Sequence, residues 1–142
     1  MTNISAVREI IERHNAEAIR AYAAGDFDSL AALFAEDAWQ MPPNMPPLVG
    51  RAAIREFWRG ALQWGKWDFV LDAQSVDISD PIAVERGKYV LTFTAGAGAP
   101  PGMKSFLDRG NYVVHWRHEQ DGKWRIVADA PVSELPLPTS NL

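Results

Sequence analysis

Asp129 lies in the run "WRIVADAPVS", between Ala128 and Ala130. A carboxyl held between two methyls on an interior strand is costly to bury ionised. Desolvation raises its pKa toward the range in which a side chain can both take and return a proton. The competing role is structural, as the anchor of a buried network with Arg125, Arg109 or an indole N–H. On the first helix, His14 and Tyr22 share an apolar face with Val7, Ile11 and Ala18. An imidazole and a phenol there can donate to developing negative charge, and each can equally be packing with a polar tip. Asp129 as acid or base, with His14 and Tyr22 as donors, is the catalytic set these types allow. His115 and His118 stand three apart on a strand, so their rings leave opposite faces, and no metal site is expected. "ERG" at Glu85–Gly87 and "DRG" at Asp108–Gly110 each place a charged pair before a glycine, and cross-strand surface ion pairs are the expected use. "GAGAPPG" lacks the Lys and Ser/Thr of a phosphate-binding loop and opens no helix; it reads as a rim or lid.

Composition bounds the partners of such a set. The chain has 142 residues, 47% hydrophobic and 23% charged, with a net charge of −4. That length suits one domain, 1–142, and the acidic balance argues against nucleic acid or an anionic membrane as partner. The absence of cysteine removes disulfides and thiolate chemistry, and no apolar run suits a signal peptide or a membrane span, so a cytoplasmic protein is expected. Six tryptophans call for a bulky core or an aromatic-lined cavity.

The elements that must position these groups follow from periodicity. Helical spacing runs from about Ser5 to Ala24 and stops at Gly25. Asp26 caps a second helix carrying Leu30, Leu33 and Phe34. "EDAWQM" is a short strand, the stiff apolar "MPPNMPPLVG" follows, and Gly50 opens a third helix with Ile54, Phe57, Trp58, Ala61 and Leu62 inward. Beyond Gly65 the period is two: strands over "WDFVLDAQSVDIS", "VERGKYVLTFTA", "FLDRGNYVVHWRHE" and "KWRIVADAPVSEL", the last two joined at "QDG". Helices first and antiparallel strands second define an α+β fold.

The order of "AAGDFDSLAALFAEDAWQ", "GRAAIREFW" and the closing "GNYVVHWRHEQDGKWRIVADAPVSE" resembles the nuclear-transport-factor-2-like superfamily, in its ketosteroid-isomerase-like and SnoaL-like branch. The resemblance implies a cone: a strongly curved, mostly antiparallel sheet wrapped around three N-terminal helices, enclosing an apolar pocket, in a homodimer. It also implies where a ketosteroid isomerase keeps its acid–base groups, an Asp base and an oxyanion pair of Tyr and protonated Asp. The base position falls on Pro42, the Tyr position on Ala18, the protonated Asp position on Val114, and a further pocket Tyr on Trp58. None of the four can do that chemistry, so steroid isomerisation by that route is not expected.

The resemblance turns the face of Val127 and Asp129 toward the cavity, with Tyr112, Val114 and Trp116 on the neighbouring strand. Ala18, Trp39, Met41, Pro42, Asn44, Met45 and Trp58 complete the expected wall. The implied protein binds a small apolar or aromatic ligand, needs no cofactor, and as an enzyme is an isomerase, cyclase or dehydratase working by proton transfer. Two alternatives stay open. One is a non-catalytic ligand-binding or dimerisation module with a vestigial cavity. The other is an epoxide hydrolase-like enzyme using Asp108, Arg109 and Asp129, although consecutive Asp108 and Arg109 should point to opposite faces.

Overall fold

The computed structural model describes residues 3–136. Asn3 starts the first helix, α1 (Ile4–Ala24), by accepting the Ala6 N–H on its side chain at 3.2 Å. Gly25 ends it at φ 71°, a left-handed conformation suited to glycine. Asp26 caps α2 (Phe27–Ala32) through the Ser29 N–H at 3.1 Å. Helical spacing predicts Leu33 and Phe34 on this helix. The chain instead leaves it at Ala32, and Phe34 opens β1 (Phe34–Gln40), because Leu33 O is taken by the Ile126 N–H at 2.9 Å.

The Pro-rich segment returns as a two-residue strand, β2 (Leu48–Val49), which the sequence reading lacks, and α3 (Arg51–Ala61) follows. A 3₁₀ turn, Leu62–Trp64, leads into the long strands β3 (Gly65–Ser79), β4 (Ile82–Ala95), β5 (Phe106–His118) and β6 (Trp124–Ser133). The sheet order is β2-β1-β6-β5-β4-β3, with only the β1–β6 pair parallel. This is the α+β cone: an open, bent sheet whose inner face receives α1, with α2 and α3 packed on one another.

Two irregularities matter for the site. The β5–β6 ladder pairs His115 with Ala128 and then Trp116 with Ile126, so Val127 has no partner. This bulge reverses the inside–outside alternation of β6. Ile126 faces inward before it, and Asp129 and Pro131 face inward after it. An unbroken alternation predicts Arg125 and Val127 on the inner face; neither lines the cavity. The second irregularity lies in β1, between Phe34 and Trp39, and sets Gln40 directly beside Asp129 on β6.

Candidate active site

Between the inner face and the helices lies a cavity of about 500 Å³. Its deep end is built on Leu30 and Phe34, and its opening is marked by exposed Asn44, Met45, Phe106 and Leu107. Trp58, Trp64 and Trp67 form an aromatic wall in edge-on and tilted contact. Indole N–H groups in that wall are satisfied: Trp67 donates to Ala61 O at 2.8 Å, and Trp58 to Gln40 Oε1 at 2.6 Å.

That second bond fixes the chemistry around Asp129. An indole N–H can only donate, so the Gln40 carbonyl oxygen must face Trp58 and its amide nitrogen must face the other way. The nitrogen reaches Tyr22 Oη at 3.1 Å and Asp129 Oδ2 at 3.2 Å. Gln40, only 4% exposed, thus spends its NH2 on a phenol and a carboxyl. Burial pushes the Asp129 carboxyl up to about 6, the Gln40 bond pulls it partly back, and the nearby Glu85 adds to the rise. Among the described residues no cation pairs with Asp129: Arg125 is engaged by Glu119 and Asp121, and Arg109 by Glu134. Burial holds the Tyr22 phenol well above its ordinary range, so it is a neutral donor. It accepts from Gln40, and among the described residues no acceptor takes its own proton.

The other expected residues divide. Ala18, Pro42, Asn44, Met45, Trp58, Tyr112 and Val114 line the cavity together with Tyr22 and Asp129. His14 does not. Its ring stacks on Trp116 at 5.6 Å between centroids, and its pKa is lowered first by burial and then by Arg13, leaving a neutral packing group. The helix presents Asn15, Ala18 and Tyr22 instead, spaced i, i+3 and i+7. Trp39 is 47% exposed, since alternation along β1 sends Ala38 and Gln40 inward and the indole out. Met41 does not line the cavity; its backbone N–H donates to Asp129 O at 2.9 Å. Trp116 is buried behind the wall, where it donates to Glu85 at 3.0 Å.

Glu85 is the largest departure from expectation. It is fully buried, not part of a surface ion pair, and accepts from Tyr112 Oη at 2.5 Å, Asn15 Nδ2 at 2.7 Å and Trp116 Nε1. Its motif repeats on the next strand: Glu85-Arg-Gly-Lys-Tyr89 on β4 and Asp108-Arg-Gly-Asn-Tyr112 on β5. The strands are antiparallel, with Gly87 opposite Tyr112 and Tyr89 opposite Gly110. Each tyrosine therefore lies over the partner strand's glycine and donates to that strand's acid, Tyr112 to Glu85 and Tyr89 to Asp108 at 2.8 Å. A Cβ on Gly87 would stand 2.5 Å from the Tyr112 ring. The acids face inward and the arginines between them outward, so Asp108, Arg109 and Asp129 do not assemble around one point.

An open α+β cone enclosing a mostly apolar cavity with a few polar groups in its wall defines a ligand-cavity protein of the nuclear-transport-factor-2-like superfamily. The SnoaL-like domain family matches residues 15–127, and the chain belongs to that family. Solved structures of similar fold include a nuclear-transport-factor-2-like superfamily protein from Salmonella enterica, at 16% identity and a TM-score of 0.80, covering 98% of this chain and 99% of that one. A ketosteroid isomerase-like protein from Erwinia carotovora superposes with a TM-score of 0.74 at 19% identity, over 90% of this chain and 96% of that one. A scytalone dehydratase-like protein from Novosphingobium aromaticivorans does so at 0.78 and 19%, over 92% and 85%. No curated protein matches the chain. No helix among the described residues is long and apolar enough to cross a membrane.

Proposed function

We propose that this protein binds a small apolar cyclic metabolite in the cone and catalyses a proton-transfer reaction on it, an isomerisation, cyclisation or dehydration, with Asp129 as the acid–base group. The observation that carries this reading is the Asp129 carboxyl itself: in the cavity wall, unpaired with any described cation, and poised at about 6. A carboxyl so poised is populated in both protonation states near neutrality and can abstract a proton and return it. In the forward step the carboxylate takes a proton from a carbon next to a carbonyl, the electron pair moves onto the carbonyl oxygen as an enolate, and the Tyr22 O–H donates to that oxygen. Returning that proton to another carbon gives an isomer, and delivering it to a departing hydroxyl gives an alkene and water. Gln40, held by Trp58, keeps Asp129 and Tyr22 in fixed relation.

Binding is tested by a thermal-shift screen of biaryl and fused-ring ketones and alcohols. Hits are then incubated in D₂O and analysed for deuterium uptake by NMR. Wild type should exchange an acidic C–H, and Asp129→Asn should bind while exchanging at least about 100-fold more slowly, in line with the usual worth of a general base. Equal exchange by both proteins refutes the role of Asp129; binding with no exchange at all leaves a binding protein and refutes the catalytic reading. The same reading includes a homodimer formed on the outer sheet face, where Val70, Val90, Val113 and Val132 are exposed. Light scattering at micromolar concentration should report twice the chain mass.

A further inference from the structure

A second polar group faces the cavity, away from Asp129. Asp108 accepts from the Tyr89 phenol on Oδ2 at 2.8 Å and from Ser133 Oγ on Oδ1 at 2.5 Å. All three side chains line the cavity. Ser133 is four residues beyond Asp129 on β6, which puts the two polar groups about 13 Å apart along the strand. Between them the wall is made by Pro131 and, beside it on β5, the ring of Tyr112, whose hydroxyl is spent on Glu85. Asp108 adjoins exposed Leu107, so this second pole stands toward the opening.

The chemistry of this pole is one-sided. A carboxylate has room for about four hydrogen bonds. Asp108 receives two, from donors that fix its orientation, and no described cation pairs with it. Among the described lining residues there are two acids and no Lys, Arg or His. A ligand carrying a carboxylate or phosphate would meet like charge at both poles without any compensating group. A ligand that presents a hydrogen-bond donor, by contrast, completes the shell of Asp108 with a charge-assisted bond.

The geometry points to Asp108, with Tyr89 and Ser133, as a specificity subsite that holds a hydroxyl or ammonium group at the outer end of an elongated apolar ligand, while its inner end lies at Asp129. The cavity thereby selects neutral or cationic molecules with a donor at the outer end and rejects anionic ones. This deepens the function proposed above and rests on it for the meaning of the inner end.

Matched biphenyls test the subsite by intrinsic tryptophan quenching. The probes are 4-hydroxybiphenyl, 4,4′-dihydroxybiphenyl, 4′-hydroxybiphenyl-4-methylamine and 4′-hydroxybiphenyl-4-carboxylate. In wild type the second hydroxyl and the amine should each tighten binding about tenfold over the mono-hydroxy probe, the usual worth of a hydrogen bond to a charged group. The carboxylate should bind more weakly than the mono-hydroxy probe. Asp108→Asn should erase most of the gain from the amine, reduce that from the second hydroxyl, and relieve the carboxylate penalty, each ratio taken against 4-hydroxybiphenyl in the same protein. The hydroxyl and amine arms separate the two donor chemistries. Should Asp108→Asn fail to fold by circular dichroism, Ser133→Ala, which frees one carboxylate oxygen from its anchor, should alter the same ratios in wild-type-like protein. The proposal is overturned if the second donor brings no gain in wild type, or if the ratios survive these substitutions. Failure of every probe to bind overturns it together with the cavity reading. Loss of deuterium exchange alone, with the ratios intact, touches only Asp129.

Discussion

Replacing Asp129 by Asn should change how stability depends on pH. The unfolded carboxyl titrates near 3.9, and the folded one at about 6. Between those values the native state keeps a proton that the unfolded state has lost, so unfolding becomes easier as pH rises through the window. Below it both states are protonated, and above it both are ionised, so the contribution levels off on each side. About two pH units at about 1.4 kcal/mol each give a loss on the order of 3 kcal/mol between pH 4 and pH 7. Asn keeps the shape and an oxygen able to accept from Gln40 Nε2, but carries no titrating proton. Urea unfolding of both proteins, followed by tryptophan fluorescence from pH 4 to 8, isolates the term because most other titrations cancel in the difference. The stability of the variant relative to wild type should climb by about 3 kcal/mol across the window. Parallel profiles, agreeing within about 0.5 kcal/mol, would refute the claim that Asp129 is desolvated and uncompensated.

The buried network gives three further tests. Glu85→Gln leaves one acceptor oxygen for three donors, so its N–H2 must face at least one of them, and it should destabilise on the order of 3 kcal/mol, read from denaturant midpoints. The same change removes a charge that raises Asp129, so the Asp129 carboxyl carbon should titrate below its wild-type midpoint by NMR. Trp58→Phe strips the donor that orients Gln40 and should cost about 1–3 kcal/mol in urea unfolding. An Asp129 midpoint unmoved in that variant would argue that something else holds the amide. Gly87→Ala drives a methyl into the Tyr112 ring and toward Asp72 O at 2.6 Å, and a loss of about 2 kcal/mol or more should lower the midpoint of thermal unfolding.

Much of the architecture was legible because apolar spacing and caps are local signals: Gly25, Asp26 and Gly50 mark their boundaries without help from the rest of the chain. Asp129 stands out as a carboxyl between two alanines, but it was the family resemblance that turned it toward the cavity, whose wall it lines. What failed was set by pairing across strands. The bulge at Val127 exists only because β5 and β6 share a register that skips one residue, and it carried Ile126 inward and Arg125 out. Trp39 belongs to the wall the resemblance implies, but alternation from Ala38 puts Gln40 there. The repeat of acid-Arg-Gly reads as a cross-strand surface ion pair, but the tyrosine two residues beyond each glycine and the inward turn of both acids make it a pair of phenol–carboxyl bonds instead. His14 and Asn15 differ by one position on a helix, and only the packing of α1 against the sheet decides between them.

The crossed tyrosines tie β4 to β5 in the middle of a long hairpin, far from the turn that joins them. Sliding one strand against the other would break both bonds at once, so the register is held from within and not by the connecting loop. The tip of that loop, Pro100–Gly102, is exposed, and apart from Gly102, whose φ of 84° calls for glycine, nothing in it is held by the strands. Insertions or exchanges at that tip can therefore be tolerated without moving Asp108, Tyr112 or Val114. It is a place where lineage drift or laboratory selection can vary the chain beside the cavity opening while leaving the residues of the inner wall untouched.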